Sequence, residues 1–242
     1  MGLQKVFVGI RSLILVPFTV FILASVTTIM VLFKGDERFI NGPLAKNWAR
    51  VVMWLTATRI TVHGMSNIPS TEESYIVIMN HQSNLDTTVL VHSLPLQLRF
   101  IGKSELKKIP LFGSALIRAG HFLIDRGDHQ KAMEGIRAAG ERLKQRGVSV
   151  VFAPEGTRSS DGKLLPFKKG AFVMAIETGI PILPITIDGT RIALPKGSLW
   201  VKSADVTVTI HQPVSTESLS YEDRDELSEQ VREMMEKSLF EV

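Results

Sequence analysis

The chain has 242 residues, 45% of them apolar, with no cysteine and a formal net charge of +4. That length supports one substantial core with a small appendage and argues against two full domains. The missing cysteine excludes disulfides, thiolate metal sites and a cysteine acyl-enzyme.

The charge is uneven along the chain. Residues 1–62 hold seven Lys and Arg against Asp36 and Glu37, a net +5 that leaves −1 for the remainder. The same region holds the most apolar segment, "SLILVPFTVFILASVTTIMVLF" over Ser12–Phe33, which has no charged residue. At about 1.5 Å per residue it matches a hydrocarbon core about 30 Å thick. It lacks the short apolar stretch and small-residue cleavage site of a signal peptide, so it is expected to be retained. A second stretch, "LAKNWARVVMWLTATRITV", alternates basic residues with Val51, Val52, Trp54 and Leu55 in the manner of an interfacial helix. Residues 1–57 therefore read as an N-terminal membrane-associating helical region, either one spanning helix or a pair of helices dipped into one leaflet. Basic flanks favour the anionic cytoplasmic surface.

From residue 58 to 242 the pattern changes to short apolar runs alternating with helix-period segments. Strands are expected at Arg59–Val62, Tyr75–Met79, Arg99–Gly102, Phe122–Asp125, Ser149–Ala153, Ile182–Ile187 and Asp205–Ile210. Helices are expected at Asn84–Ser93, Asp128–Arg146, Lys168–Thr178 and Tyr221–Leu239. The last places Leu227, Val231, Met234 or Met235, and Leu239 on one stripe, as core packing does. This alternation predicts an α/β fold, a mixed sheet covered by helices.

Several stretches at element ends carry chemistry. In "IMNHQSNLDTT", His81 and Asp86 are five positions apart, which on a regular helix points them about 140° away from each other. Contact requires His81 to lie on the turn before a helix that Ser83 and Asp86 begin. An imidazole so placed can take a proton near neutral pH, with the carboxylate fixing its tautomer. On these two residues alone, a strand end and a helix cap is the commoner outcome. "VVFAPEGTRSS" puts Pro154, Glu155, Gly156, Thr157 and Arg158 just after an apolar run, where a guanidinium can bind phosphate by forked contacts. Taken alone, Arg158 paired with Glu155 is the commoner outcome. Lys103 and Arg126 follow or end two more expected strands, and with Arg158 they would converge on an anion if those strands are neighbours. Lys168 and Lys169 are further phosphate candidates. No His/Asp cluster has metal-ligand spacing, and no nucleic-acid partner is expected.

The blocks "NHQSNLD", "GKSELKKIPLFG" with "LIDRG", "FAPEGTRS" and "IPILPI", in this order, resemble the four blocks of the glycerolipid acyltransferases, the bacterial 1-acylglycerol-3-phosphate acyltransferases in particular. The resemblance covers about residues 60–215. It implies transfer of an acyl group from acyl carrier protein or coenzyme A, as co-substrate rather than cofactor, to the sn-2 hydroxyl of lysophosphatidate at a membrane, giving phosphatidate. His81 would be the base and Asp86 its orienting partner. Arg158, Lys103 and Arg126 would hold the acceptor's phosphate, with Glu155, Gly156 and Thr157 shaping the loop. Asn80 and backbone amides near Ser83 are candidate oxyanion donors. The expected location is the inner membrane, catalytic part on the cytoplasmic face. Another lyso-lipid or glycerol 3-phosphate is an alternative acceptor. A serine hydrolase using Ser83 or Ser114 lacks the G-x-S-x-G elbow, and a non-catalytic lipid-binding module would make His81 structural.

Overall fold

The computed structural model describes residues 3–32, 36–110, 112–124, 143 and 147–240. The apolar N-terminal run forms helix α1 (Leu3–Leu32), with Pro17 in its interior. Thr19, Ser25 and Thr28 turn their hydroxyls back onto the carbonyls of Val16, Phe21 and Ala24. Their polar groups are thus satisfied on the helix's own backbone, and Phe7, Ile10, Ile14, Phe18, Phe21 and Ile29 are exposed.

A short π-helical turn at Ile40–Leu44 leads into α2 (Ala45–Thr56), which runs back along α1. Trp48 Nε1 donates to Thr19 Oγ1 at 3.3 Å, while Arg11 and Ser12 donate to the carbonyls at the end of α2, Trp54 and Leu55. The guanidinium meets the negative end of the helix dipole there and lies 4.9 Å from the Trp54 ring centroid. α1 and α2 are therefore an antiparallel hairpin, clamped at the start of α1.

The rest is a 7-stranded sheet: β1 (Arg59–His63), β2 (Ile76–Met79), β3 (Leu98–Lys103), β4 (Phe122–Ile124), β5 (Ser149–Phe152), β6 (Ile182–Asp188) and β7 (Asp205–Ile210), in the order β1-β7-β6-β2-β5-β3-β4. All pairs are parallel except β6 with β7. The other helices of four or more residues that close an α-helical turn among the described residues are α3 (Asp86–Ser93), α4 (Phe112–Arg118), α5 (Gly170–Thr178), α6 (Thr190–Ala193) and α7 (Arg224–Phe240).

Alternation along β2 divides the core. Val77 and Met79 pack with Val52 and Met53 of α2 and with Val89 and Leu90 of α3, while Ile76 and Ile78 pack with Phe172 and Met174 of α5 and Leu227, Val231 and Met235 of α7. A strand buried on both faces must be apolar throughout, and all four residues of β2 are buried. Of the two methionines proposed for the α7 stripe, Met235 enters the core.

The strands lie within about one residue of their expected bounds. β4 is described through Ile124, and the helix expected at Asp128–Arg146 lies, apart from Leu143, outside the described residues. α3 starts at Asp86 rather than Asn84, and α5 at Gly170 rather than Lys168. α4 and α6 were not expected from the sequence: with 7 and 4 residues they give too little helical period to detect.

Candidate active site

β6, β2, β5, β3 and β4 are parallel neighbours, so their carboxyl ends share one edge of the sheet. Asn80, just past β2, pairs its carboxamide with the backbone of Ile187 on β6, Oδ1 accepting at 2.7 Å and Nδ2 donating at 2.9 Å. This extra rung fixes where the chain leaves the sheet. His81 follows on the turn, outside the helix, and its Nδ1 lies 2.7 Å from Asp86 Oδ2. The same oxygen accepts the backbone N–H groups of Gln82 and Ser83 at 2.8 and 2.9 Å.

Asp86 is fully buried, while the His81 side chain is 23% exposed. An ionised carboxylate only accepts hydrogen bonds, so Nδ1 carries the proton and Nε2 the lone pair. The pair has the geometry of a base with its orienting partner.

Glu155 links this turn to the loop after β5. Its carboxylate accepts from the backbone N–H of His81 at 2.7 Å and of Leu165 at 2.9 Å. Burial pushes its carboxyl above the usual carboxylate range, against the pull of those two donors. The expected alternative, Glu155 paired with Arg158, does not occur: Arg158 has no carboxylate partner among the described residues. A second tie runs the other way, from Ser159 N to the His81 carbonyl at 2.8 Å. The two loops, 74 positions apart in sequence at His81 and Glu155, are therefore stitched together.

Between those ties Gly156 adopts φ +70°, which a side chain rarely tolerates. Lys168 leans across it, its Nζ 2.9 Å from where a Cβ would sit. Lys169 points elsewhere, 2.7 Å from Asp225 at the start of α7. Lys103 closes β3 on the same sheet edge, whereas Arg126 lies outside the described residues. Lys196, which the sequence did not single out, donates to the Arg158 carbonyl at 2.8 Å and to Thr157 Oγ1 at 3.4 Å. Nothing in local sequence marks it, because 38 positions separate it from Arg158.

Several of the oxyanion candidates are engaged within the protein. Both polar atoms of the Asn80 side chain are engaged by Ile187. The N–H groups of His81, Gln82, Ser83 and Leu85 point at Glu155, Asp86, Asp86 and the Ser83 hydroxyl. Ser83 is equally ill-suited as a nucleophile: it is fully buried and donates to the Leu194 carbonyl.

The α/β chain thus has a mostly parallel sheet with a His–Asp pair at one strand end and an arginine loop on the neighbouring strand. Residues 59–188 match the family described as Acyltransferase. A chloroplastic 1-acyl-sn-glycerol-3-phosphate acyltransferase of Brassica napus is 38% identical over 76% of this chain and 53% of its own length. The 1-acyl-sn-glycerol-3-phosphate acyltransferase of Saccharomyces cerevisiae is 30% identical over 90% of this chain and 72% of its own. Among solved structures, the crystal structure of the 1-acyl-sn-glycerophosphate acyltransferase of Thermotoga maritima superposes with a TM-score of 0.83 at 26% identity, covering 98% of this chain and 95% of that one. The chain belongs to the acyltransferase family. It spans about half the length of several of the curated relatives it matches.

Proposed function

We propose that this protein is a membrane-bound acyltransferase that moves a fatty acyl group from a thioester of acyl carrier protein or coenzyme A to the sn-2 hydroxyl of 1-acylglycerol 3-phosphate, forming phosphatidate. The observation that carries the reading is the 2.7 Å contact of His81 Nδ1 with buried Asp86, beside the Arg158 loop on the adjacent strand. The names of the relatives supply the acceptor.

In this reading the acceptor's phosphate is held by Arg158, with Lys103 and Arg126 as partners, which brings its hydroxyl to His81. Nε2 takes the hydroxyl proton as the oxygen attacks the thioester carbonyl. The C–S bond then breaks, and the imidazolium returns the proton to the leaving thiolate. General-base help of this kind contributes about 10² to 10⁴ in rate, and fixing both reactants contributes more.

The N-terminal hairpin supports membrane association. α1 is long and apolar enough to cross a membrane, yet Val8, Ser12, Ala24 and Thr27 are buried along one of its faces. A helix packed along its length onto α2 and α4 favours insertion of the hairpin into one leaflet, with its exposed aromatic and aliphatic side chains among the acyl chains. The basic excess of the first 62 residues favours the cytoplasmic face of the inner membrane. Residues 1–57 are then the anchoring region and residues 58–242 the catalytic domain.

The test is phosphatidate formation in membranes containing wild type or His81→Ala, given labelled lysophosphatidate and either donor. Activity in wild type and none in His81→Ala at equal expression supports the reading. Wild type inactive on lysophosphatidate sinks the acceptor, and an active His81→Ala protein sinks the base.

A further inference from the structure

The loop that carries Arg158 is secured at both ends by backbone bonds, Gly156 N to Ala153 O and Lys168 N to Pro154 O on one side, Ser159 N to His81 O on the other. Its middle is different. Among the described residues, the side-chain hydrogen bonds made to Thr157 and Arg158 both come from Lys196. An ammonium has three donors, and two of these are spent on this turn.

Lys196 is exposed, but its segment is not loose. The chain from α6 toward β7 is anchored where Ser83 Oγ donates to the Leu194 carbonyl at 2.8 Å. It closes on itself where Lys202 N donates to the Ala193 carbonyl at 2.8 Å. At its far end the Trp200 ring lies over Gly9 of α1, where a Cβ would overlap it. A single segment thus touches the His81–Asp86 turn, the Arg158 turn and the N-terminal helix, and the long, mobile side chain of a lysine is delivered to one point.

We infer that Lys196 is a positioning residue for the acceptor: by holding the Arg158 carbonyl and the Thr157 hydroxyl, it sets the direction in which the Arg158 guanidinium meets the phosphate. This rests on the reading of the site as a lysophosphatidate acyltransferase. A fork-shaped cation binds phosphate well only when its plane is aimed, and the carbonyl that Lys196 holds belongs to the same residue as that side chain, so it bears on the side chain's starting direction. The acyl donor's own phosphates lie a pantetheine chain away from its thioester, so with the thioester at His81 its binding does not depend on that direction.

The experiment compares wild type, Lys196→Met and Lys196→Arg in detergent-solubilised full-length protein, with kcat and KM measured separately for lysophosphatidate and for the acyl thioester. Lys196→Met keeps the apolar stem and removes the donors. It should raise KM for lysophosphatidate by about tenfold, the scale of one charge-assisted hydrogen bond, with the thioester KM unchanged and the melting temperature preserved. Lys196→Arg, still able to donate to the Arg158 carbonyl, should recover most of that loss. Unchanged kinetics in Lys196→Met, or equal increases in both KM values, overturns the inference while leaving the enzyme assignment standing. Wild type that fails to acylate lysophosphatidate removes the assignment, and the inference with it.

Discussion

Asp86→Asn separates charge from geometry at the proposed base. Asp86 Oδ2 receives three N–H groups, from His81, Gln82 and Ser83, at 2.7, 2.8 and 2.9 Å. Oδ1 is buried and has no hydrogen-bond partner among the described residues. An asparagine must therefore turn its oxygen to the three donors, since an NH₂ there would oppose all of them. The turn and the His81 tautomer survive, and the NH₂ lands in a buried place without an acceptor, at a cost of about 1–3 kcal/mol. What disappears is the negative charge beside the imidazolium that forms during transfer. At 2.7 Å the Coulomb interaction is about 6 kcal/mol for an effective dielectric of about 20, and about 1.5 kcal/mol at the water limit. With about 1.4 kcal/mol per decade, the expected loss in kcat is about 10 to 10⁴, the upper part of which is the usual range for general-base help. KM should stay within about twofold for both substrates, because uniform binding is untouched. The assay is steady-state phosphatidate formation with labelled lysophosphatidate, paired with a thermal melt. A folded Asp86→Asn protein whose kcat is within about threefold of wild type would refute the reasoning. So would a normal kcat with a raised acceptor KM, which would move Asp86 from the base to binding.

Glu155→Gln should destabilise the protein by about 1–3 kcal/mol, because one of the two backbone donors it now satisfies, His81 N or Leu165 N, would face an NH₂. A melt unchanged from wild type would contradict this. His121 gives a pH dependence: its ring accepts from Phe100 N at 3.1 Å, and burial, with Arg99 nearby, lowers its pKa to about 3. The folded state then holds the ring neutral while the unfolded chain protonates it below about 6.5. Stability should be full above that value and fall as pH drops toward 3, by at most about 1.4 kcal/mol per unit. His121→Asn keeps an acceptor for Phe100 and cannot charge, so its denaturant midpoints between pH 7 and 5 should fall less steeply; parallel slopes in the two proteins would exclude His121 as the cause.

What the sequence made legible was local. β2 and β5 announce themselves because a strand buried on both faces has to be apolar nearly throughout, as "IVIM" is and as "SVVF" is after Ser149. For His81 and Asp86 a helix angle set the condition for contact: five positions cannot meet on one helix, so the histidine had to precede it. Non-local pairings were hidden. That Glu155 would spend its carboxylate on the backbone of His81 and Leu165, rather than on nearby Arg158, depends on β2 and β5 being neighbours. Asn80 looked like a free amide because nothing around it names Ile187 as its partner. Lys196 was invisible for the same reason: it reaches Arg158 only because β6 and β7 reverse direction and send their connection back over the site.

The consequence is that the proposed base and the proposed phosphate loop form one mechanical unit. His81 donates its backbone N–H to Glu155 and accepts from Ser159, so the loop carrying Arg158 is referenced to the histidine's own backbone rather than to the sheet at large. Displacement of either strand end carries both groups together and preserves the distance between them. That distance sets whether a hydroxyl next to a bound phosphate reaches Nε2, and an error of about 1 Å can cost about 10² in rate. A buried carboxylate that accepts two backbone donors is an expensive way to join two loops if stability alone is at stake. It is a reasonable one if the joint must be stiff, since each bond is charge-assisted and directional. On the proposed reading, Glu155 contributes through the position it imposes on His81.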